Sequence, residues 1–204
     1  MSMLAAQAFA ASRFPAKNLL TNPDFSSGTS GWSLVSGLQQ TISDNEMIIT
    51  NLGNAGPHKV YRNTTPSPSE NIKYLAVEMQ TDSPQDGIRL GNTGYIQRHS
   101  GSGQYERLSL VGTGTNAIRI LDSNRNGDIS GSPVRLRRAL LIDLTALFGA
   151  GNEPTREQMD ELLMQFPNSW FKGVRNLFNA KHFMTMYFKK ITELETAIAA
   201  LGGS

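Results

Sequence analysis

Between about Asn18 and Thr145 the apolar positions fall in short runs, each bounded by clusters of Gly, Pro, Asn, Asp, Ser or Thr. In IKYLAVEMQ, residues 72–80, Leu75, Val77 and Met79 share one parity and Tyr74, Ala76 and Glu78 the other. A period of two is that of a strand with one face against a core. Leu108 and Leu110 alternate with Arg107 and Ser109 in the same way. The runs WSLVS, EMIITN, KVYRN, IKYLAVEMQ, GIRLG, YIQRH, YERLSLVG, AIRILD and VRLRRALLIDL amount to about nine strands, with turns roughly every eight to twelve residues. They predict a mainly β chain folded as an antiparallel β-sandwich over residues 17–146.

The pattern changes to a helical one on either side. Residues 1–16 are Ala-rich and predict an N-terminal helix or anchor stopped near Pro15. Their apolar run is short and lacks a basic leader, so it reads as part of the mature chain rather than as a signal peptide. In residues 147–178, Thr155 and Gln158 have capping-box spacing. Met159, Leu162, Leu163 and Phe166 then recur at i, i+3, i+4 and i+7, a helix face ended by Pro167 and packed on the sandwich, with Trp170 and Phe171 in the seam. Over residues 179–204, Met184, Tyr187, Ile191, Leu194, Ile198 and Leu201 alternate at spacings of three and four. That is a coiled-coil seam of about two and a half heptads. It either folds back on its own domain or pairs with copies of itself as a dimer or trimer.

Composition adds restraint more than direction. With 19 Gly, 9 Pro and 18% charged residues the chain suits strands and turns. A net charge of +2 makes no case for nucleic acid, and no apolar segment is long enough to cross a membrane. Without cysteine there is neither disulfide nor thiolate metal chemistry. His58, His99 and His182 are far apart and read as surface or loop residues. GTGTNA, residues 112–117, mimics a dinucleotide fingerprint, but IRIL follows where a helix is needed, so it reads as a turn. In DSNRNGDIS, Asp122, Asn124, Asn126 and Asp128 imitate the first half of a calcium loop, while Pro133 stands where the bidentate Glu belongs. The same residues also make a hairpin loop, so a structural calcium is the one cofactor the sequence raises. VRLRR, residues 134–138, reads as a solvated basic sheet face. Asp82, Asp86 and Glu106 are scattered and give no sign of a paired-carboxylate glycosidase.

Two stretches resemble known families. NLLTNPDFSSGTSGW, residues 18–32, resembles the start of galactose-binding-like carbohydrate-binding jelly rolls, with Leu19, Leu20 and Phe25 seating a first strand and Trp32 anchoring the next. LIDLTALFGAGNEPTREQMDELL followed by WFKG, residues 141–163 and 170–173, is similar to a segment that follows a jelly roll in structural proteins of tailed bacteriophages of Gram-positive bacteria. The resemblances imply a non-enzymatic virion protein of tail, baseplate, neck or fibre. Its partners would be other virion proteins, copies of itself and host cell-surface glycan. The alternative is a carbohydrate-binding module of a secreted glycan-active protein. Related modules hold a structural calcium with an acidic residue near the first strand, here matched by Asp24. A shallow glycan site stacks sugar rings on aromatics and hydrogen-bonds them through Arg, Asn and Gln; the candidates are Tyr61, Arg89, Tyr95, Arg98 and Tyr105.

Overall fold

The computed structural model describes residues 14–34, 38–51, 59–62, 67–91, 96–114, 118–124, 129, 131–177, 192, 196 and 198. The described strands are β1 (Phe14–Lys17), β2 (Ser33–Leu34), β3 (Leu38–Ser43), β4 (Glu46–Asn51), β5 (Lys59–Arg62), β6 (Ile72–Gln80), β7 (Gly87–Leu90), β8 (Ile96–Arg98), β9 (Tyr105–Thr113), β10 (Ile118–Asp122), β11 (Val134–Asp143) and β12 (Val174–Leu177). Two helices, α1 (Leu144–Phe148) and α2 (Arg156–Leu163), lie between β11 and β12. One sheet runs β2-β5-β10-β7-β8 and the other β3-β4-β11-β6-β9, while β1 and β12 pair separately. The chain is an antiparallel β-sandwich, as its alternation predicts.

The first core lies between the sheets. Met47, Ile49, Leu75, Val77, Met79 and Leu136 point inward from the second sheet to meet Val60, Ile88, Leu90, Ile118 and Ile120 of the first. Each fully buried aliphatic side chain contributes about 1.5–3 kcal/mol. The second core lies outside the second sheet. There the opposite parity of β6 and β11, namely Tyr74, Ala76, Leu140 and Ile142, is covered by Phe148, Met159, Leu162, Leu163 and Phe171. The helical segment therefore shares a core with the sandwich.

Central strand β11 serves both cores because it contains a bulge. Arg137 pairs with Glu78 and Leu140 with Ala76, so three steps along β11 match two along β6. The extra residue, Arg138, sits at φ 55, and the slip turns Ala139 and Leu141 inward. Backbone groups freed there are taken by remote partners. Asn18 donates Nδ2 to the carbonyls of Ala139 (3.0 Å) and Phe171 (3.2 Å) and accepts from the amides of Leu20 and Leu141 (both 3.2 Å). The Ala139 amide bonds Pro23 (2.9 Å), and Trp170 Nε1 donates to the Ala139 carbonyl (2.9 Å).

Residues 18–32 form no strand; the strand comes before them, at β1. Asn22 replaces a ladder, donating to the Gly28 carbonyl (2.8 Å) and accepting from the Ser27 amide (2.9 Å). Phe25 and Trp32 are buried with ring centroids 6.0 Å apart, so Trp32 is a core anchor as expected. The N-terminal helix expected over 1–16 gives way to a strand from Phe14. Proline's missing donor and extended neighbour suit the two-stranded pairing with β12. Residues 1–13 lie outside the described residues.

The capping box forms as the spacing predicts: Gln158 Oε1 accepts from the Thr155 amide (2.8 Å) and Thr155 Oγ1 from the Gln158 amide (3.3 Å). Helix α2 ends at Leu163 rather than at Pro167, leaving Phe166 to pack from a turn against Phe171, with ring centroids 5.2 Å apart. Of the coiled-coil positions, Ile198 is helical and exposed. Met184, Tyr187, Ile191, Leu194 and Leu201 lie outside the described residues.

Two predictions follow from this layer. Asn18→Ala leaves several buried backbone groups without partners, so it is expected to destabilise the fold by about 3 kcal/mol, seen in urea unfolding followed by circular dichroism. A change below about 1 kcal/mol would show that the bulge does not depend on Asn18. The second concerns Asp143, the N-cap of α1, which accepts from the Ala146 amide (2.8 Å), Ser67 (2.6 Å) and Asn71 (2.8 Å). Burial works against its charge, but these bonds and the buried Lys73 ammonium outweigh it and hold its carboxyl below the ordinary 3.8. Its folded pKa is depressed, so the stabilisation is complete well above 3.8 and fades as pH falls through the folded value. Asp143→Asn is expected to cost about 2 kcal/mol at neutral pH. That gap should narrow in unfolding curves recorded at progressively lower pH below 3.8; a constant gap would assign the loss to shape alone.

Candidate functional site

The outer faces of the two sheets differ in what covers them. Both described helices pack toward the second sheet and β1, because Tyr74, Ala76, Leu140 and Ile142 make that face apolar. On the first sheet the outward positions form a cross-strand row. Ser33 pairs with Tyr61, Tyr61 with Arg119, Arg119 with Arg89, and Arg89 with Ile96. Five strands at their usual spacing make a row about 19 Å long. One pair further along, Arg98 stands opposite Gly87, where a Cβ would lie 2.1 Å from the Gln97 carbonyl oxygen, so only glycine lets β8 approach.

Asp122 is the last residue of β10, and its side chain is 3% exposed. Arg119 Nη1 reaches Asp122 Oδ2 at 2.5 Å and Arg89 Nε the same oxygen at 3.1 Å. Arg98 Nη2 lies 3.9 Å from Oδ1, and its Nη1 donates to the backbone carbonyls of Gln85 and Asp122, each at 2.5 Å. The arginines remain partly open to solvent, with side chains 15–26% exposed. Burial lowers the Arg98 pKa, Asp122 opposes that shift, the like charge of Arg89 adds to it, and Asp86 opposes it more weakly. A register shift between Arg119 and Leu121 brings Asp122 into line with Lys59 of β5.

Three of the five glycan candidates, Tyr61, Arg89 and Arg98, thus share one face. Tyr95 lies outside the described residues. Tyr105 is on the outer face of the opposite sheet, where the Arg137 guanidinium lies 3.6 Å from its ring centroid. That contact occupies one face of the ring. Around it Arg137 and Arg138 hold Glu78 at 2.6 and 2.7 Å, and Arg135 and Arg137 hold Glu46 at 3.5 and 3.2 Å. The basic VRLRR face is therefore a network of ion pairs. Burial and the Glu46 carboxylate raise the Tyr105 phenol above its ordinary pKa.

Arg119 was not among the sequence candidates, although its alternation with Ile118 and Ile120 in AIRILD puts it on the outward parity. Of the calcium-loop residues, Asp122 is already neutralised by guanidiniums, which leaves it little charge to offer a cation. Asn124 is exposed, its amide bonded to the Gln85 carbonyl (3.4 Å). Asn126 and Asp128 lie outside the described residues, and no metal-ligating cluster occurs among the described ones. Asp24 is likewise engaged, by Lys172 Nζ at 2.9 Å.

The remaining chemical candidates serve turns. Asp86 accepts from Thr81 Oγ1 (2.5 Å), Glu106 from the Ser100 amide (3.0 Å) and the Ser102 hydroxyl (2.7 Å), and Asp82 from the Ser132 hydroxyl. His99, read from the sequence as a surface or loop residue, is buried. Its Nδ1 accepts from the Gly101 amide (2.9 Å) and its Nε2 faces the carbonyls of Met79 and Gln104 (both 3.1 Å). His58 and His182 lie outside the described residues.

No protein-family model matches the chain, and no curated protein does. Among solved structures it is similar to the second N-terminal cellulose-binding domain of Cellulomonas fimi β-1,4-glucanase C, at 14% identity and a TM-score of 0.43 over 63% of this chain and 95% of that one. It is also similar to a family 22 xylan-binding domain from Paenibacillus barcinonensis, at 10% identity and a TM-score of 0.36 over 65% and 95%. A third is a family 29 carbohydrate-binding module from Piromyces equi, at 12% identity and a TM-score of 0.33 over 64% and 87%.

Proposed function

We propose that the protein is a non-enzymatic glycan-binding β-sandwich whose binding surface is the outer face of the β2-β5-β10-β7-β8 sheet. The observation that carries this reading is the row Ser33–Tyr61–Arg119–Arg89–Ile96, an aromatic ring and fixed guanidinium donors on a sheet face away from both described helices. A tyrosine ring offers a platform for the apolar face of a sugar, and the guanidiniums offer several donors in a rigid plane. Asp122 has no catalytic part in it. Its carboxylate lies beneath three guanidiniums and is not placed to protonate or attack a glycosidic bond.

The finer reading is a virion component of tail, baseplate, neck or fibre that holds a host cell-surface glycan, with affinity raised by many copies on one particle. Its support is the resemblance of residues 141–163 and 170–173, which fall in the α1–α2 segment clasping the second sheet. A carbohydrate-binding module of a secreted glycan-active protein uses the same face and differs only in what it is joined to.

Affinity electrophoresis through gels containing soluble cell-wall polysaccharides tests the binding face. The wild-type protein is expected to be retarded, and Tyr61→Ala to weaken that retardation about tenfold, the effect of losing one good aromatic anchor. Its unfolding midpoint should hardly change, because Tyr61 is only half-buried. Retardation equal in wild type and variant would remove this face from the reading, and no retardation by any polysaccharide would remove glycan binding altogether.

A further inference from the structure

We propose that β3 is a self-association edge, on which a second copy of this chain adds its own β3 antiparallel, across a two-fold axis at Gln40. β3 ends its sheet, with β4 on one side and no described strand on the other. In the hairpin that joins them, Ser43 pairs with Glu46, and the two residues between, Asp44 and Asn45, have positive φ of 52 and 62. Such a two-residue turn makes Ser43 and Glu46 a pair that exchanges both backbone bonds, and that kind of pair recurs at every second residue. Gln39, Thr41 and Ser43 therefore bond β4. Leu38, Gln40 and Ile42 turn their N–H and C=O groups to the free edge, where no described residue meets them.

Sheet edges are ordinarily blunted by shortness, charge, proline or a bulge, or else covered. The other edges of the two five-stranded sheets are short or engaged. β2 has two residues and β8 three, and on β9 the Ser109 amide is taken by Gln97 Oε1 (3.0 Å). β3 has six residues in unbroken register with β4, and LQQTIS contains neither charge nor proline.

What this edge fits is another β3. An axis at Gln40 sets Gln40 opposite its own copy, Leu38 opposite Ile42 of the second chain, and Gln39 opposite Thr41 of the second chain. The first two kinds of pair exchange both backbone bonds. Leu38 and Ile42 are half-buried at the margin of the inner core, so each covers apolar surface that the other leaves exposed. Gln40 lies between them, and its Oε1 is shielded from solvent without a hydrogen-bond partner. The Nε2 of the opposite Gln40 supplies that donor, and symmetry repeats the bond in reverse. Charge agrees with this occupant. A two-fold axis sets charges near it against their own copies, which destabilises a strand pair, and β3 has none to set. The acids nearest in the chain, Asp44 and Glu46, lie in the turn and on β4, and Glu46 is held by Arg135 and Arg137. So short an edge buries little area, which makes the dimer weak and concentration-dependent.

Amide hydrogen exchange of the full chain, followed by NMR, reads the edge directly. Between about 50 µM and about 1 mM protein, exchange at Leu38, Gln40 and Ile42 is expected to slow about threefold, while the amides of β8 hold steady. Exchange at those three positions that does not change with concentration overturns the inference. Gln39 and Thr41 are exposed, so replacing them leaves the fold intact. Gln39→Lys combined with Thr41→Lys is expected to abolish the concentration dependence, and so is Gln39→Glu combined with Thr41→Glu, because each sets like charges opposite one another across the edge. An equimolar mixture of the two double variants is expected to restore association, seen as two chains in sedimentation equilibrium. A mixture that stays monomeric, or a lysine variant that associates as the wild type does, assigns association to another surface and overturns the inference. The wild-type exchange comparison stands whatever the variants do.

Discussion

The architecture depends on one residue too many in the central strand of the second sheet. VRLRRALLID contains two adjacent arginines at 137 and 138, and a regular strand must turn one of a consecutive pair into the core. The bulge at Arg138 avoids this. It keeps Arg137 and Arg138 on Glu78, then restores alternation so that Ala139 and Leu141 join the inner core while Leu140 and Ile142 join the outer one. The cost is a local loss of ladder bonds, and the partners that replace them come from far along the chain: Asn18, Pro23 and Trp170. The unusual opening stretch is the complement of that bulge. Its asparagine reaches a strand more than a hundred residues away because buried backbone groups there require a partner.

The same residue pattern decides which face the described helices cover. Beyond the bulge the outward side of β11 and β6 is apolar and requires a cover, which α1, α2 and the segment through Phe171 supply. Asp160 of α2 fixes that cover in place, accepting from the Tyr74 hydroxyl (2.5 Å) and from Ser109 (2.9 Å). Outward positions in the row across the first sheet are Ser, Tyr, Arg and a single half-buried Ile, and neither described helix packs on them. The placing of the described helices thus follows from where apolar parity runs.

The main features of the fold were legible where one periodicity acted alone. Alternation located β6 and β9 with the correct inward residues, and Thr155 with Gln158 located the start of α2. Legibility failed where tertiary pairing overrode local pattern. LQQTIS escaped notice because glutamines break the apolar run, although Leu38 and Ile42 pack on the core from an edge strand. Phe14–Lys17 takes strand geometry only because Val174–Leu177 lies beside it, and no local sequence announces that partner. In the site, Tyr61, Arg89 and Arg98 were recognisable as residue types. Their convergence on Asp122 was not, because it needs a register shift in β10 and a glycine at 87 to bring three strands together.

Asp122 shows why residue type alone misleads. In sequence it heads an Asn and Asp loop that reads as a hairpin loop or as the first half of a calcium loop; in space its carboxylate is met by three arginines. Guanidiniums that close on a carboxylate weaken its pull on a cation, and Asn126 and Asp128 of the same loop lie outside the described residues. On the other sheet Glu46 and Glu78 lie among Arg135, Arg137 and Arg138 in the same manner, so on both faces it is strand register, and not residue type, that decides which carboxylate meets which guanidinium.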